Sequence, residues 1–314
     1  MEKFEQIKRN HHYVWSYYLK SWSFEDNKVF YISKKGKISC DSVKGLAKDI
    51  DFYKINSLNE KDIFFIKKLS SYSSINLQNI HLRQLNYFKN LLDIENYKIN
   101  KFYQNEQNQL VNTIKSNTLE NTYSIIENLA LKVISELIEG NSQVLHEDKK
   151  MIAFLYFIGH QLSRTKAFKE KILFALAKDD RLYDLWEKNW WFIAYMFGIN
   201  LGHSLYQNHK KNNHIFIVNN TNLKFITSDS PVINIHSSLN ELKKGTAPEH
   251  MDLYFPLSPS YAYMINDSDT YNNLKDNINE SDVLNLNEYI YKKSYKTVFA
   301  DSELAIKTLK RYSK

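Results

Sequence analysis

Apolar and polar positions along the chain fall into three textures. Residues 1–58 carry short aromatic-rich runs between polar turns. The spacing predicts a short helix from Tyr13 to Trp22. KVFYISKKGKISC alternates about Lys35-Gly36, the pattern of a hairpin, and SVKGLAKDIDFY reads as a short helix or turn leading to Tyr53. Residues 59–211 are helical in period. Asn59 is suited to cap the segment NEKDIFFIKKLSSY. In TLENTYSIIENLALKVISELIEG, apolar residues at 125, 126, 129, 130, 133, 134, 137 and 138 form a core stripe that Gly140 ends. LHEDKKMIAFLYFIGHQLSRTKAFKEKILFALAK reads as one long helix, with acids in its first turn and bases near its end. DDRLYDLWEKNWWFIAYMFGINLGHSLYQNHKK reads as another.

In residues 212–314 the period shortens. HIFIVNN, LKFITSD, VINIH, MDLYFPLS and YAYMIN are β-branched and aromatic runs with turn residues between them, the mark of an antiparallel sheet. SDVLNLNEYIYKKSYKTVFAD returns to a helix and a last strand. No Pro-, Gly- or Ser-rich linker divides the chain and no repeat is visible. The expectation is a single α+β domain over residues 1–314. Its long central helices should pack with a mainly antiparallel sheet drawn largely from the C-terminal third.

Composition narrows the function classes. At 314 residues and 43% hydrophobic, the chain is long enough to bury a substantial core. Only 7 glycines and 4 prolines occur, and neither G-x-G-x-x-G nor G-x-x-x-x-G-K-[ST] is present, which argues against dinucleotide and P-loop sites. One cysteine, Cys40, excludes an internal disulfide and a cysteine zinc cluster. It reads as a buried thiol in a reducing cytoplasm. The opening MEKFEQIKRN lacks the apolar run of a signal peptide, and MIAFLYFIGH and WWFIAYMFGINLG are too short to span a bilayer. The chain is therefore expected to be cytoplasmic, without a membrane partner. A formal charge of +7 is a mild bias toward polyanions such as nucleic acid, although lysine-rich usage also simply solvates a surface.

Four places carry candidate chemistry. The first is His11-His12-Tyr13, where adjacent histidines on an extended segment point to opposite sides, so at most one faces inward. The alternative is a polar pair with one histidine capping a helix. The second is GHQLSRT, which puts His160 and Arg164 on one helix face with Gln161 beside them. An arginine that follows MIAFLYFI is partly buried and needs an acceptor, either a protein carboxylate or an anionic ligand such as phosphate. The third is FITSDSPV, a strand ending in Thr227, Ser228 and Asp229. Asp229 is the carboxylate best placed to partner Arg164, a histidine or a metal, against the alternative of an Asx-turn with its own backbone. The fourth, YFPLSPSYAY, is suited to forming a wall. Asn285 and Asn287 serve as helix-face polar groups or caps. No H-E-x-x-H, H-x-H or G-x-S-x-G is present.

These motifs together resemble a bacterial family, domain of unknown function 4238. HHYVWSYYLKSW is similar to its opening H-H-Y-V-P-x-x-Y-L-x-x-F, GHQLSRTKAF to its Q-x-x-R-T/S helix, and FITSDSPV to its F-x-T-S-D-N-P-V. FPLSP matches its F-P-L-S-P, and VLNLNEYIYKKSYKTVFA resembles its closing helix. The likeness runs in order along nearly the whole chain. Trp15 stands where the family has proline, and Ser230 where it has asparagine. The resemblance implies a single-gene antiphage effector of the abortive-infection kind, and it supplies no reaction.

Three readings follow. The leading one is a nuclease, a hydrolase acting on RNA rather than DNA. His12 would serve as general acid or base, Arg164 would stabilise the scissile phosphate, and Asp229 would orient the histidine or hold Mg²⁺ or Mn²⁺. His11, Tyr13, His160, Gln161, Thr227 and Ser228 would contact substrate. The second is a module that senses a nucleotide, an RNA or a phage protein as its trigger without turnover. The third makes His12, Arg164 and Asp229 a structural clasp between the N-terminal segment, the central helix and the sheet.

Overall fold

The computed structural model describes residues 6–33, 35–97, 103–177, 179–241 and 248–312. The fold is α+β. The N-terminal third begins with β1 (Asn10–His12), α1 (Ser16–Lys20), β2 (Lys28–Ser33), β3 (Ile38–Ser42) and β4 (Lys48–Ile50). The first helix is shorter than the Tyr13–Trp22 expected. The predicted hairpin forms: β2 and β3 pair antiparallel with Ile32 opposite Ile38. Gly36 supplies its turn at φ 80°, a conformation that glycine adopts without a Cβ clash. SVKGLAKDIDFY becomes β4 between turns, paired antiparallel to β1.

The central helices are α2 (Glu60–Ser70), α3 (Ile75–Leu92), α4 (Gln104–Ile138), α5 (Asp148–Ser163), α6 (Lys166–Leu176) and α7 (Asp180–Asn208). Asn59 caps α2 as expected, in a reciprocal box with Asp62. The stripe of α4 is rotated from the one expected. Leu119, Tyr123, Ala130, Val133, Ile134 and Leu137 are buried, while Ile125 and Leu129 are exposed. The segment read as one helix over 145–178 is two. Thr165 takes an extended backbone conformation and its hydroxyl accepts from the Phe168 N–H, so the chain starts a new helix directly after Arg164. The closest helix crossing is α5 on α7. A Cβ on Gly159 would lie 2.5 Å from the Gly198 carbonyl oxygen, and one on Gly202 would lie 2.7 Å from Tyr156 Cα.

The last third holds β5 (His214–Val218), β6 (Thr227–Ser228), β7 (Ile233–Asn234), β8 (Asp252–Pro256), β9 (Tyr261–Asn266), α8 (Glu280–Lys293), β10 (Thr297–Ala300) and α9 (Glu303–Tyr312). These strands make an antiparallel sheet β5-β9-β8-β7. They also extend the N-terminal hairpin into a second sheet, β3-β2-β10-β6. Both sheets and the central helices bury their apolar faces in one cluster that includes Trp22, Val29, Phe154, Phe157, Phe255 and Val298. Cys40, expected to be buried, is exposed on β3. Among the described residues, no helix is long and apolar enough to cross a membrane.

Candidate functional site

The site is built on β1, where register decides which histidine faces where. His11 lies opposite Asp49 and His12 opposite Lys48. Strand side chains alternate between faces. His11 is accordingly fully buried, and His12 is half-buried. His11 Nδ1 accepts the Tyr53 N–H at 2.7 Å, Nε2 donates to the Lys8 carbonyl at 2.8 Å, and the ring stacks on Tyr53. Burial lowers its pKa, so the neutral ring is the form these bonds require. With both nitrogens engaged inside the chain, His11 does not offer the substrate contact expected of it. His12 Nε2 lies 3.4 Å from the Lys44 carbonyl. Burial lowers its pKa as well, and the cations of Lys48 and Arg164 push the same way.

The second motif sits beneath. Gln161 donates to the Tyr13 carbonyl at 2.9 Å, and its Oε1 accepts from Arg164 Nη2 at 2.9 Å and from the Trp15 N–H at 3.4 Å. It thereby fixes the turn from β1 into α1. Arg164 ends α5 and is buried. Its acid is not Asp229 but Glu127 of α4, at 2.6 Å, with the guanidinium lying over the Tyr123 ring at 5.2 Å. His160, expected to bind substrate, is buried between Tyr123 and Tyr195. Burial, helped by Arg164, drags its pKa to about 3. It is a neutral core group facing away from solvent.

The third motif is also committed to the fold. The Thr227 hydroxyl pairs with the Tyr18 hydroxyl at 2.6 Å, and Tyr18 donates to the Pro256 carbonyl. Ser228 Oγ accepts the Ser230 N–H and donates to the Ser230 carbonyl. Asp229 does not form an Asx-turn with the backbone that follows it. Its Oδ1 accepts from the Tyr295 N–H at 2.8 Å, and its Oδ2 from those of Lys296 and Thr297 at 2.7 and 3.0 Å. The carboxylate closes the turn between α8 and β10. Asn287 ties α8 to the segment before Thr227, bonding the Ile226 N–H and the Lys224 carbonyl.

The structure therefore joins Arg164 to Gln161 and, through Gln161, to the Tyr13 carbonyl. It gives His12 and Asp229 other bonding partners. Lysines gather along the two sides of the β1–β4 ladder. The backbone carbonyl of Lys44 faces the His12 ring, and Lys48 stands opposite His12 in the ladder. Lys166 pairs with Asp49 and lies over the Tyr13 and Phe52 rings, at 5.6 and 6.0 Å. Lys296 lies in the Asp229-bonded turn. Burial works against ionising Asp49, but hydrogen bonding and charge from Lys166, together with Lys296, hold its carboxyl below the usual range. The chemistry Lys166 and Lys296 offer about Asp49 and Tyr13 is anion recognition, with Lys48 and the His12 imidazole across the same ladder.

A divalent ion does not fit the predicted residues, because both Asp229 oxygens already bind backbone N–H groups. Among the described residues, no group of three or more His, Cys, Asp or Glu side chains converges on a metal position. A shallow apolar hollow of about 430 Å³ lies between α2 and α7, lined by Phe64, Phe65 and Leu185. None of its lining belongs to the His12 face. The sequence reading missed Glu127, Glu120, Tyr53 and the four lysines. Lys44 and Lys48 share a segment, but Lys166 and Lys296 arrive from elements far along the chain, and no spacing rule links them.

The family described as "Protein of unknown function (DUF4238)" matches residues 10–303, so the chain belongs to it. No curated protein and no solved structure matches the chain.

Proposed function

We propose that the protein binds RNA along the lysine-bearing β1–β4 ladder that carries His12, and that it does so as a phage-defence effector of the kind the family resemblance implies. The observation that carries the reading is the run of lysines along the β1–β4 ladder: Lys166 and Lys296 about Asp49 and Tyr13, Lys48 opposite His12, and Lys44 in the turn before β4. Lysines in such a run position phosphates without reading sequence. The imidazole favours RNA over DNA because a 2′-hydroxyl is a donor that DNA lacks. Arg164 and Asp229 act in this account as the frame: Arg164 anchors Gln161 and thus Tyr13, and Asp229 shapes the turn that carries Lys296.

The lowered pKa of His12 favours a second reading, in which bound RNA is cleaved. With Nε2–H directed at the Lys44 carbonyl, Nδ1 carries the lone pair and would take the 2′-hydroxyl proton. The 2′-oxygen would then bond to phosphorus as the P–O5′ bond breaks, with water protonating the departing oxygen.

Anisotropy of labelled single-stranded RNA and DNA from 50 to 200 mM salt tests the binding reading. Four phosphate contacts predict a log–log slope of about −3 for single strands, with RNA bound more tightly than DNA. Absence of binding at the lowest salt, or a slope near zero, would overturn it.

A further inference from the structure

α2 presents to solvent an aromatic ring that packs in no core of the chain. The helix itself is held firmly. Asp62 accepts from Lys188 Nζ at 2.5 Å and from Asn189 Nδ2 at 3.1 Å, which clamps α2 to α7. Phe65 meets the Trp186 ring edge-on, with centroids 6.0 Å apart, in a small second core around Trp190 and Ile193. Phe64 joins neither core and is 72% exposed. It stands at the hollow between α2 and α7, beside Phe65 and Leu185. A large apolar ring fixed in water beside an apolar hollow marks a contact surface.

The charges about that ring have an order. Glu60 and Lys68 line the same hollow, one helical turn before Phe64 and one turn after it. Both are exposed. Lys68 lies over the Tyr72 ring at 5.5 Å, and among the described residues neither Glu60 nor Lys68 makes an ion pair. Read backwards, the stripe is its own complement. A two-fold axis through Phe64 sets two α2 helices antiparallel, ring against ring. Glu60 of each copy then meets Lys68 of the other, once at each end. A partner segment of uniform charge would satisfy only one of these ends. Lys61 and Lys67 also come opposite each other, but they lie about 60° round the helix from Phe64, at flanks where water and salt screen them.

We propose that this face of α2 docks a second copy of the chain, in an isologous dimer centred on Phe64 with reciprocal Glu60–Lys68 pairs. Each Phe64 ring leaves water at the mouth of the other copy's hollow. One helix from each copy is a contact at the small end of specific interfaces, so the dimer should form at micromolar rather than nanomolar concentration. None of the ladder lysines lines the hollow, and the inference stands apart from the RNA reading.

Sedimentation velocity of the full chain, without RNA, over about 1–200 μM reads the association directly. The parent should pass from 37.3 kDa to twice that mass within this range. Phe64→Glu should remain monomeric throughout, and Phe64→Ser serves in its place if the first variant melts early. Glu60→Lys and Lys68→Glu each set like charges against one another at both ends, so each alone should weaken the dimer about tenfold. The two together only reverse the pairs, and should restore association to within about threefold of the parent. Melting curves establish that each variant is folded at the temperature of the run. A parent that stays monomeric, a dimer that survives loss of Phe64, or a double variant that recovers nothing would each overturn the proposal.

Discussion

The backbone N–H of Tyr53 ends on Nδ1 of His11 at 2.7 Å, while the same ring gives its other nitrogen to the Lys8 carbonyl. One buried imidazole thus stitches the N-terminal segment at Lys8 to the segment after β4. His11→Ala should lower stability by about 2–4 kcal/mol, because it strands a buried donor and an acceptor. Denaturant titration measures this. Since burial lowers the pKa of His11, its contribution is present above the ordinary histidine value and is lost as pH falls below it. The parent should therefore lose stability on acidification more steeply than the alanine variant does.

Arg164 and Glu127 are a buried pair, and removing one partner should hurt more than removing both. Arg164→Met should cost about 3–5 kcal/mol. The double variant with Glu127→Leu should recover much of that loss, because no charge is left stranded. Melting temperatures of the four proteins in the cycle measure the coupling.

Asp229 satisfies three backbone N–H groups of the turn before β10. Asp229→Asn keeps one acceptor and should cost about 1–3 kcal/mol, with Asp229→Ala costing more. In both variants hydrogen exchange should accelerate first at residues 295–297, ahead of global unfolding.

Gly198 is the floor on which His160 rests, and an added Cβ would clash with the imidazole. Gly198→Ala should cost about 1–3 kcal/mol through overpacking. Its cost should shrink when combined with His160→Ala, which vacates that space. Thermal melts of the two single variants and the double variant measure the non-additivity.

What the sequence made legible was set by local signals. The β2–β3 hairpin announced itself through alternation about Gly36, α2 through Asn59, and α7 through its length and period. The break between α5 and α6 escaped because it uses neither glycine nor proline. Its one local sign is Thr165 three residues before Phe168, a cap pattern hidden inside a strong helical period. The stripe of α4 was misplaced because Ile125 and Leu129 are apolar yet face solvent, and hydrophobicity alone cannot separate them from Tyr123 and Ala130. Gln161, Arg164 and Asp229 were recognised as polar groups needing partners. The partners themselves could not be found, since Glu127 and the 295–297 turn come from elements 37 and 66–68 residues away. Long-range pairing of this kind depends on how helices cross, and that geometry leaves no local trace.

The central claim is that the lysine-bearing β1–β4 ladder receives RNA. Ultraviolet cross-linking of the intact protein to single-stranded RNA, with peptide mapping, tests it most directly. The account predicts cross-links in residues 44–54 and at Tyr295–Lys296, lost together with affinity in a Lys48→Glu/Lys296→Glu variant that melts like the parent. Cross-links confined to other surfaces, or a charge-reversed variant that binds RNA as tightly as the parent, would contradict it.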